Sequence, residues 1–235
     1  MINYNLKELN SQFKSNEPFE HISLDNFFDE DMLEKVYQEF PSQDSPLFNW
    51  KSNDENSKKL MCQDSEVIKK NLPTIDKFIK YLNSDEFLSQ VSDLTGIPNL
   101  IGDNELAGGG LHQIVKGGFL NVHADFNISD QMPDLHRRLN IIIYLSKEWK
   151  EEYNGQLELW DTELTHAVKS VYPSFNRIVI FNTQPDGDTI AYHGHPIPLE
   201  TPEGVYRKSI ALYYYSKEKP NNILSDKHKT IYKKV

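Results

Sequence analysis

Glycine divides this chain more sharply than any other residue type. None occurs before Gly96, and all 11 lie between Gly96 and Gly204. Glycine marks turns and close backbone approaches, so the first 95 residues read mainly as helix and the middle as strands and turns. Asp29 is placed to cap a helix carrying Met32, Leu33, Val36 and Phe40, which Pro41 stops. Apolar spacing at Ile75, Phe78, Ile79 and Leu82 after Pro73 predicts a second helix. Ser84 caps a third, ended by Gly96. Residues 19–28 open as a strand, whereas residues 42–59 are polar and irregular, with Trp50 as their anchor.

From Glu105 the pattern changes to eight short β segments, at residues 111–115, 119–125, 139–145, 156–160, 168–171, 177–181, 190–193 and 207–215. Turn-formers such as Gly117-Gly118, Asn154-Gly155 and Pro185-Asp186-Gly187 separate them. That density predicts a sandwich, jelly roll or barrel. The expected class is therefore α+β with a mainly β core. Residues 1–104 are expected to be helical support, 105–216 the core, and 217–235 a solvated Lys-rich tail, within one structural domain.

A formal charge of −10 argues against a general phosphate-binding surface and hence against nucleic acid. It gives a weak expectation of a basic partner. The lone Cys62 excludes an internal disulfide framework. The first ten residues carry no apolar signal region, and no apolar run is long enough to span a bilayer. A cytoplasmic location without membrane contact is expected; composition leaves the oligomeric state open.

The chemistry centres on Val122-His123-Ala124-Asp125. In a strand, side chains two residues apart share a face, so His123 and Asp125 point the same way. One distant histidine would complete a 2-His-1-carboxylate facial triad, the set that holds non-haem Fe(II) with positions left open. Tyr192-His193-Gly194-His195-Pro196 offers two candidates, His193 and His195. His21, His136, His166 and His228 lie in polar contexts and read as surface residues; His112 is as well explained by the core as by a site. On the strand beginning at Arg207, that residue shares a face with Ser209 and Ala211. An arginine facing an apolar interior is costly unless an anion neutralises it. Asn140 and Tyr144 share a face of the apolar run 139–145, and each needs a partner if buried.

Taken together, these motifs resemble the Fe(II)- and 2-oxoglutarate-dependent oxygenases, in their prolyl-hydroxylase-like branch. The resemblance runs from about Gly108 to Tyr215. It is carried by His123-Ala124-Asp125, Arg138-Leu139-Asn140-Ile141-Ile142-Ile143-Tyr144-Leu145, Asn154-Gly155-Gln156-Leu157-Glu158-Leu159-Trp160, Asn176-Arg177-Ile178-Val179-Ile180-Phe181, the His193 motif and Arg207-Lys208-Ser209. It implies a double-stranded β-helix in which His123, Asp125 and His193 hold iron and His195 lies on the pocket wall. Arg207, Tyr144 and Ser209 would bind the far carboxylate of 2-oxoglutarate, with Asn140, Gln113, Leu157 and His195 as further co-substrate-binding residues. Whether His112 or Gln113 faces the iron stays open. The resemblance further implies O2 as co-substrate, ascorbate as a reductant, and a prolyl residue of a protein or peptide as substrate. The alternatives are a small metabolite such as an amino acid or sugar, or a cupin-like non-oxidative metal enzyme. Polar loops at 129–134 and 184–188 are expected to border the substrate groove.

Overall fold

The computed structural model describes residues 2–45 and 58–235, and of residues 51–52 the backbone. Two antiparallel sheets pack face to face. The larger contains β1 (His21–Leu24), β2 (Lys51–Ser52), β3 (Lys59–Cys62), β4 (Gly110–Ile114), β6 (His136–Tyr144), β9 (Ile178–Asn182) and β11 (Arg207–Ser216). Its order is β1-β9-β6-β11-β4-β3-β2. The smaller holds β5 (Leu120–Ala124), β7 (Leu157–Trp160), β8 (Ala167–Val171), β10 (His193–His195) and β12 (Ile231–Tyr232), ordered β12-β5-β10-β7-β8. This is the expected mainly β architecture, a double-stranded β-helix.

Strand alternation assigns each residue of the larger sheet to one of two environments. Leu139, Ile141 and Ile143 of β6, with Ile210, Leu212 and Tyr214 of β11, join the helices in the main core. Tyr144, on the other face, packs against Leu157, Leu159, Val171, Val179 and Phe181 between the sheets. The covering helices are α1 (Asn10–Ser15), α2 (Glu30–Glu39), α3 (Ser65–Asn71), α4 (Pro73–Leu82) and α5 (Asp85–Thr95). The expected caps form: Asp29 accepts from the Met32 amide, Ser84 accepts from the Phe87 amide, and Gly96 takes a left-handed φ of 76°. Among the described residues no helix is long and apolar enough to cross a membrane.

Three expectations change. The N-terminal part is more than helical support, because β1, β2 and β3 all extend the larger sheet. His21 is buried on β1, where its Nδ1–H donates to the Phe19 carbonyl at 2.8 Å. The polar context that marks it as a surface residue belongs to its sequence neighbours, not to the sheet edge it occupies. Residues 217–235 are not simply a solvated tail: Ile231 and Tyr232 pair with Ala124 and His123 of β5. His166 does lie at the surface. Trp50 falls outside the described residues.

Candidate active site

Strand register brings the site together. His193 lies directly opposite His123 where β10 pairs with β5, and their ring centroids are 4.4 Å apart. Between His193 and His195 runs Gly194, whose added Cβ would stand 2.9 Å from the Leu120 and Asn121 carbonyl oxygens. Any side chain there would push β10 away from β5 and carry His193 with it.

His123, Asp125 and His193 offer one ligand atom each, all within 4.8 Å of one another. The rings are oriented by their far nitrogens. Nδ1 of His123 lies 2.8 Å from the Asn121 carbonyl, and Nδ1 of His193 lies 2.9 Å from that of Ala191. A carbonyl only accepts, so each Nδ1 carries the proton and each Nε2 presents a lone pair. Those Nε2 atoms lie 3.6 and 3.2 Å from the Asp125 carboxylate oxygens. Backbone-bonded imidazoles beside a carboxylate are the donor chemistry of a divalent metal. The residues fit Fe(II). His195 does not join this set: it lines the same cavity, with both ring nitrogens buried and unpartnered.

Asp125 is held by a network that sequence reading missed. Its Oδ2 accepts from Arg137 Nη2 at 2.9 Å and from Asn140 Nδ2 at 2.8 Å, while Asn140 Oδ1 accepts from Arg137 Nε at 3.0 Å. The Arg137 guanidinium stacks 3.4 Å from the Tyr213 ring centroid and 4.6 Å from that of Phe126. Burial alone would raise the Asp125 pKa, but the Arg137 charge holds it well below the usual carboxylate range. Asn140 thus lines the cavity while its amide supports the Asp125 carboxylate. Arg137 escaped notice because plain alternation from Tyr144 and Asn140 puts Arg138 on the site face. A bulge shifts the phase: Tyr214 pairs with Leu139, but Tyr215 pairs with Arg137.

Arg207, only 5% exposed, donates from Nε to the Gly155 carbonyl at 2.8 Å and from Nη2 to the Tyr144 hydroxyl at 3.1 Å. Gly155 needs its φ of 72° and lacks room for a Cβ beside Leu199. Among the described residues Arg207 has no carboxylate partner, and burial lowers its pKa. Such a buried cation calls for an anionic ligand. Ser209 lies opposite both Tyr144 and His112 in the adjoining strands and lines the cavity. Leu157 lines it too.

The alternation of β4 settles His112 against Gln113. His112 and Ile114 face the cavity of about 270 Å³, whereas Gln113 is fully buried and absent from its lining. The expectation that Gln113 contacts co-substrate is thus corrected. Lys59, Met61 and Gln63 enter the cavity from β3 and just beyond it, and Thr230 and Tyr232 form part of its wall from the C-terminal segment. These too were missed, since Lys59-Leu60-Met61-Cys62 contains no β-branched residue to announce a strand.

The family model described as the 2OG-Fe(II) oxygenase superfamily matches residues 109–215. That segment, which holds His123, Asp125 and His193, is similar to this superfamily. The fold agrees with solved structures at low sequence identity. A Phytophthora capsici prolyl 4-hydroxylase aligns at TM-score 0.61 and 18% identity over 93% of this chain. The chain spans 65% of that protein's length. A Pseudomonas putida prolyl-4-hydroxylase aligns at TM-score 0.60 and 14% identity, covering 91% of this chain and 99% of that one. A Trichoplax adhaerens prolyl hydroxylase, solved with a hypoxia-inducible-factor peptide fragment, aligns at TM-score 0.53 and 17% identity, covering 89% of each. No curated protein matches in sequence. Oxygenases of this superfamily use Fe(II), 2-oxoglutarate and O2, and the His123, Asp125 and His193 set suits the metal.

Proposed function

We propose that this protein is an Fe(II)- and 2-oxoglutarate-dependent dioxygenase that hydroxylates a C–H bond of a prolyl residue in a peptide or protein, releasing succinate and CO2. The observation that carries the reading is Arg207, a buried guanidinium with no carboxylate partner among the described residues, pointing into the cavity that also holds His123, Asp125 and His193. In this reading the two Nε2 atoms and the Asp125 carboxylate hold the metal. Arg207 takes the far carboxylate of 2-oxoglutarate as a charge-assisted pair, and Tyr144 keeps the guanidinium in place. When bound, Fe(II) with 2-oxoglutarate and O2 supplies the oxidising power that inserts oxygen into C–H. The protein's own part is to orient these groups and to keep water away. Tyr232 lines the cavity beside the metal set, its ring centroid 5.3 Å from that of His123.

A peptide substrate is supported by a groove of about 640 Å³ beside the cavity, lined by Gly108, Phe126, Ser129, Asp130, Lys227 and Thr230 among others. It includes part of the 129–134 loop. The 184–188 loop does not line it, because Gln184 is buried with Nε2 donating to the Arg137 carbonyl at 2.8 Å. A small metabolite is the second reading, favoured by the modest size of the inner cavity and by Thr230 and Tyr232 in its wall. The deciding experiment incubates the protein with Fe(II), 2-oxoglutarate and ascorbate, offering proline-containing peptides and free proline. Mass spectrometry should find one added oxygen on a peptide, in step with succinate. Turnover of a small molecule with every peptide inert would select the second reading.

A further inference from the structure

We infer that the substrate of this site carries a carboxylate and that Lys59 binds it beside the metal centre. The inference rests on the oxygenase reading and adds the chemistry of the substrate to it. The charged residues lining the inner cavity are Lys59, Arg137 and Arg207 against the single carboxylate of Asp125, an excess of two positive charges. A divalent metal and a doubly negative co-substrate cancel each other and leave that excess in place. The protein as a whole has a net charge of −10, so the cavity opposes the sign of the chain around it.

The three cations are not equivalent. Arg137 is paired with Asp125 and stacked between two rings. Arg207 is buried and tied to Gly155 and Tyr144. Lys59 alone of the three is partly exposed. It forms no ion pair among the described residues, since the one nearby carboxylate is held by Arg137.

Register shows where Lys59 stands. It lies opposite Ile114 on β4, and Ile114 lies opposite Arg207 on β11. Lys59 and Arg207 therefore flank Ile114 in one cross-strand row, their backbones about 10 Å apart at two strand spacings. The next row is Met61, His112 and Ser209, and His112 Nε2 is buried there without a partner. The enclosed member of the Lys59 and Arg207 pair suits the co-substrate, which must stay in register with the metal. The accessible member suits a group that arrives with each substrate. One ammonium matches one carboxylate; among the described residues lining the cavity there is no second free cation for a phosphate dianion.

That carboxylate has two possible sources, a free acid or an acidic residue next to the target in a peptide. The test therefore uses matched probes: L-proline against L-prolinamide, and capped peptides with Glu against Gln following the target proline. Stimulation of 2-oxoglutarate decarboxylation is read for each pair. In the wild type the carboxylate member of at least one pair should exceed its amide by about tenfold or more, the scale of a charge pair that loses a partner. Lys59→Met should collapse that ratio to near one, and Lys59→Arg should restore it; circular dichroism checks that both fold. The pair that responds identifies the source. Equal stimulation by acid and amide, a ratio kept in Lys59→Met, or inert carboxylates throughout would overturn the proposal. So would a loss of 2-oxoglutarate affinity in Lys59→Met as large as in Arg207→Met, which would assign Lys59 to the co-substrate. Failure of the wild type to form a charge-transfer band with Fe(II) and 2-oxoglutarate would instead remove the oxygenase reading itself.

Discussion

Replacing Arg207 by methionine tests the co-substrate site most directly. Methionine keeps an unbranched apolar stem of similar girth, so the strand and its packing survive while the guanidinium disappears. Two hydrogen bonds go with it, to the Gly155 carbonyl and the Tyr144 hydroxyl. The larger effect falls on the ligand, because the far carboxylate of 2-oxoglutarate would enter a buried position with no cation opposite. Breaking one side of a buried pair costs about 3–5 kcal/mol. At 1.4 kcal/mol per tenfold, that weakens 2-oxoglutarate binding by roughly 10² to 10³·⁵. The assay is an anaerobic titration of the Fe(II)-loaded protein with 2-oxoglutarate, following the metal-to-ligand charge-transfer band. A dissociation constant within about threefold of wild type, less than 1 kcal/mol, would refute the assignment of Arg207.

Other consequences can be measured independently. Arg137→Leu removes the cation that orients Asp125 and should weaken metal binding by about 10- to 100-fold, read by titration with Co(II) as a spectroscopic stand-in. Asn176→Ala should cost about 1–3 kcal/mol in urea unfolding. The Asn176 side chain satisfies both the amide and the carbonyl of Phe28, at 2.9 and 2.8 Å, from a left-handed φ of 61°. His112 is buried, and burial with the nearby Lys59 charge holds its pKa well below the ordinary 6.5. The unfolded chain then binds a proton that the folded one refuses. Stability should fall as pH drops below 6.5, by about 1.4 kcal/mol per pH unit until the folded pKa is reached. His112→Gln should lose that slope in unfolding curves taken at several pH values; an unchanged slope would mean that His112 is not held neutral.

How much of this was legible in the sequence depended on local periodicity. Alternation along 139–145 and 207–215 correctly sorted Asn140 and Tyr144 from Ile141 and Ile143, and Arg207 and Ser209 from Ile210 and Leu212. The His-x-Asp pair was readable for the same reason. Periodicity is silent about choices made across space. Nothing in His193-Gly194-His195 says which imidazole has a carbonyl behind it, and the Nδ1 bond to Ala191 belongs to the folded backbone alone. Arg137 was hidden by a bulge that reverses the phase of its strand. Lys59 lay in a stretch without strand-forming residues, and Tyr232 in a polar tail whose two-residue strand pairs with β5. Net charge is silent for a simpler reason: a sum over 235 residues says nothing about the sign inside one cavity.

The shared register of β4, β6 and β11 makes the site and the core inseparable as objects of mutation. A slip of β11 by one residue would turn Arg207, Ser209 and Ala211 toward the helices and drive Lys208, Ile210 and Leu212 into the cavity. The same slip would empty three positions of the main core. A chain that misaligns this strand therefore cannot persist as a folded but inactive protein; it forfeits stability at the same moment as chemistry. Inactive variants that stay fully folded should cluster at side chains of the inner face, whereas variants that alter strand alignment should disappear from the soluble fraction altogether.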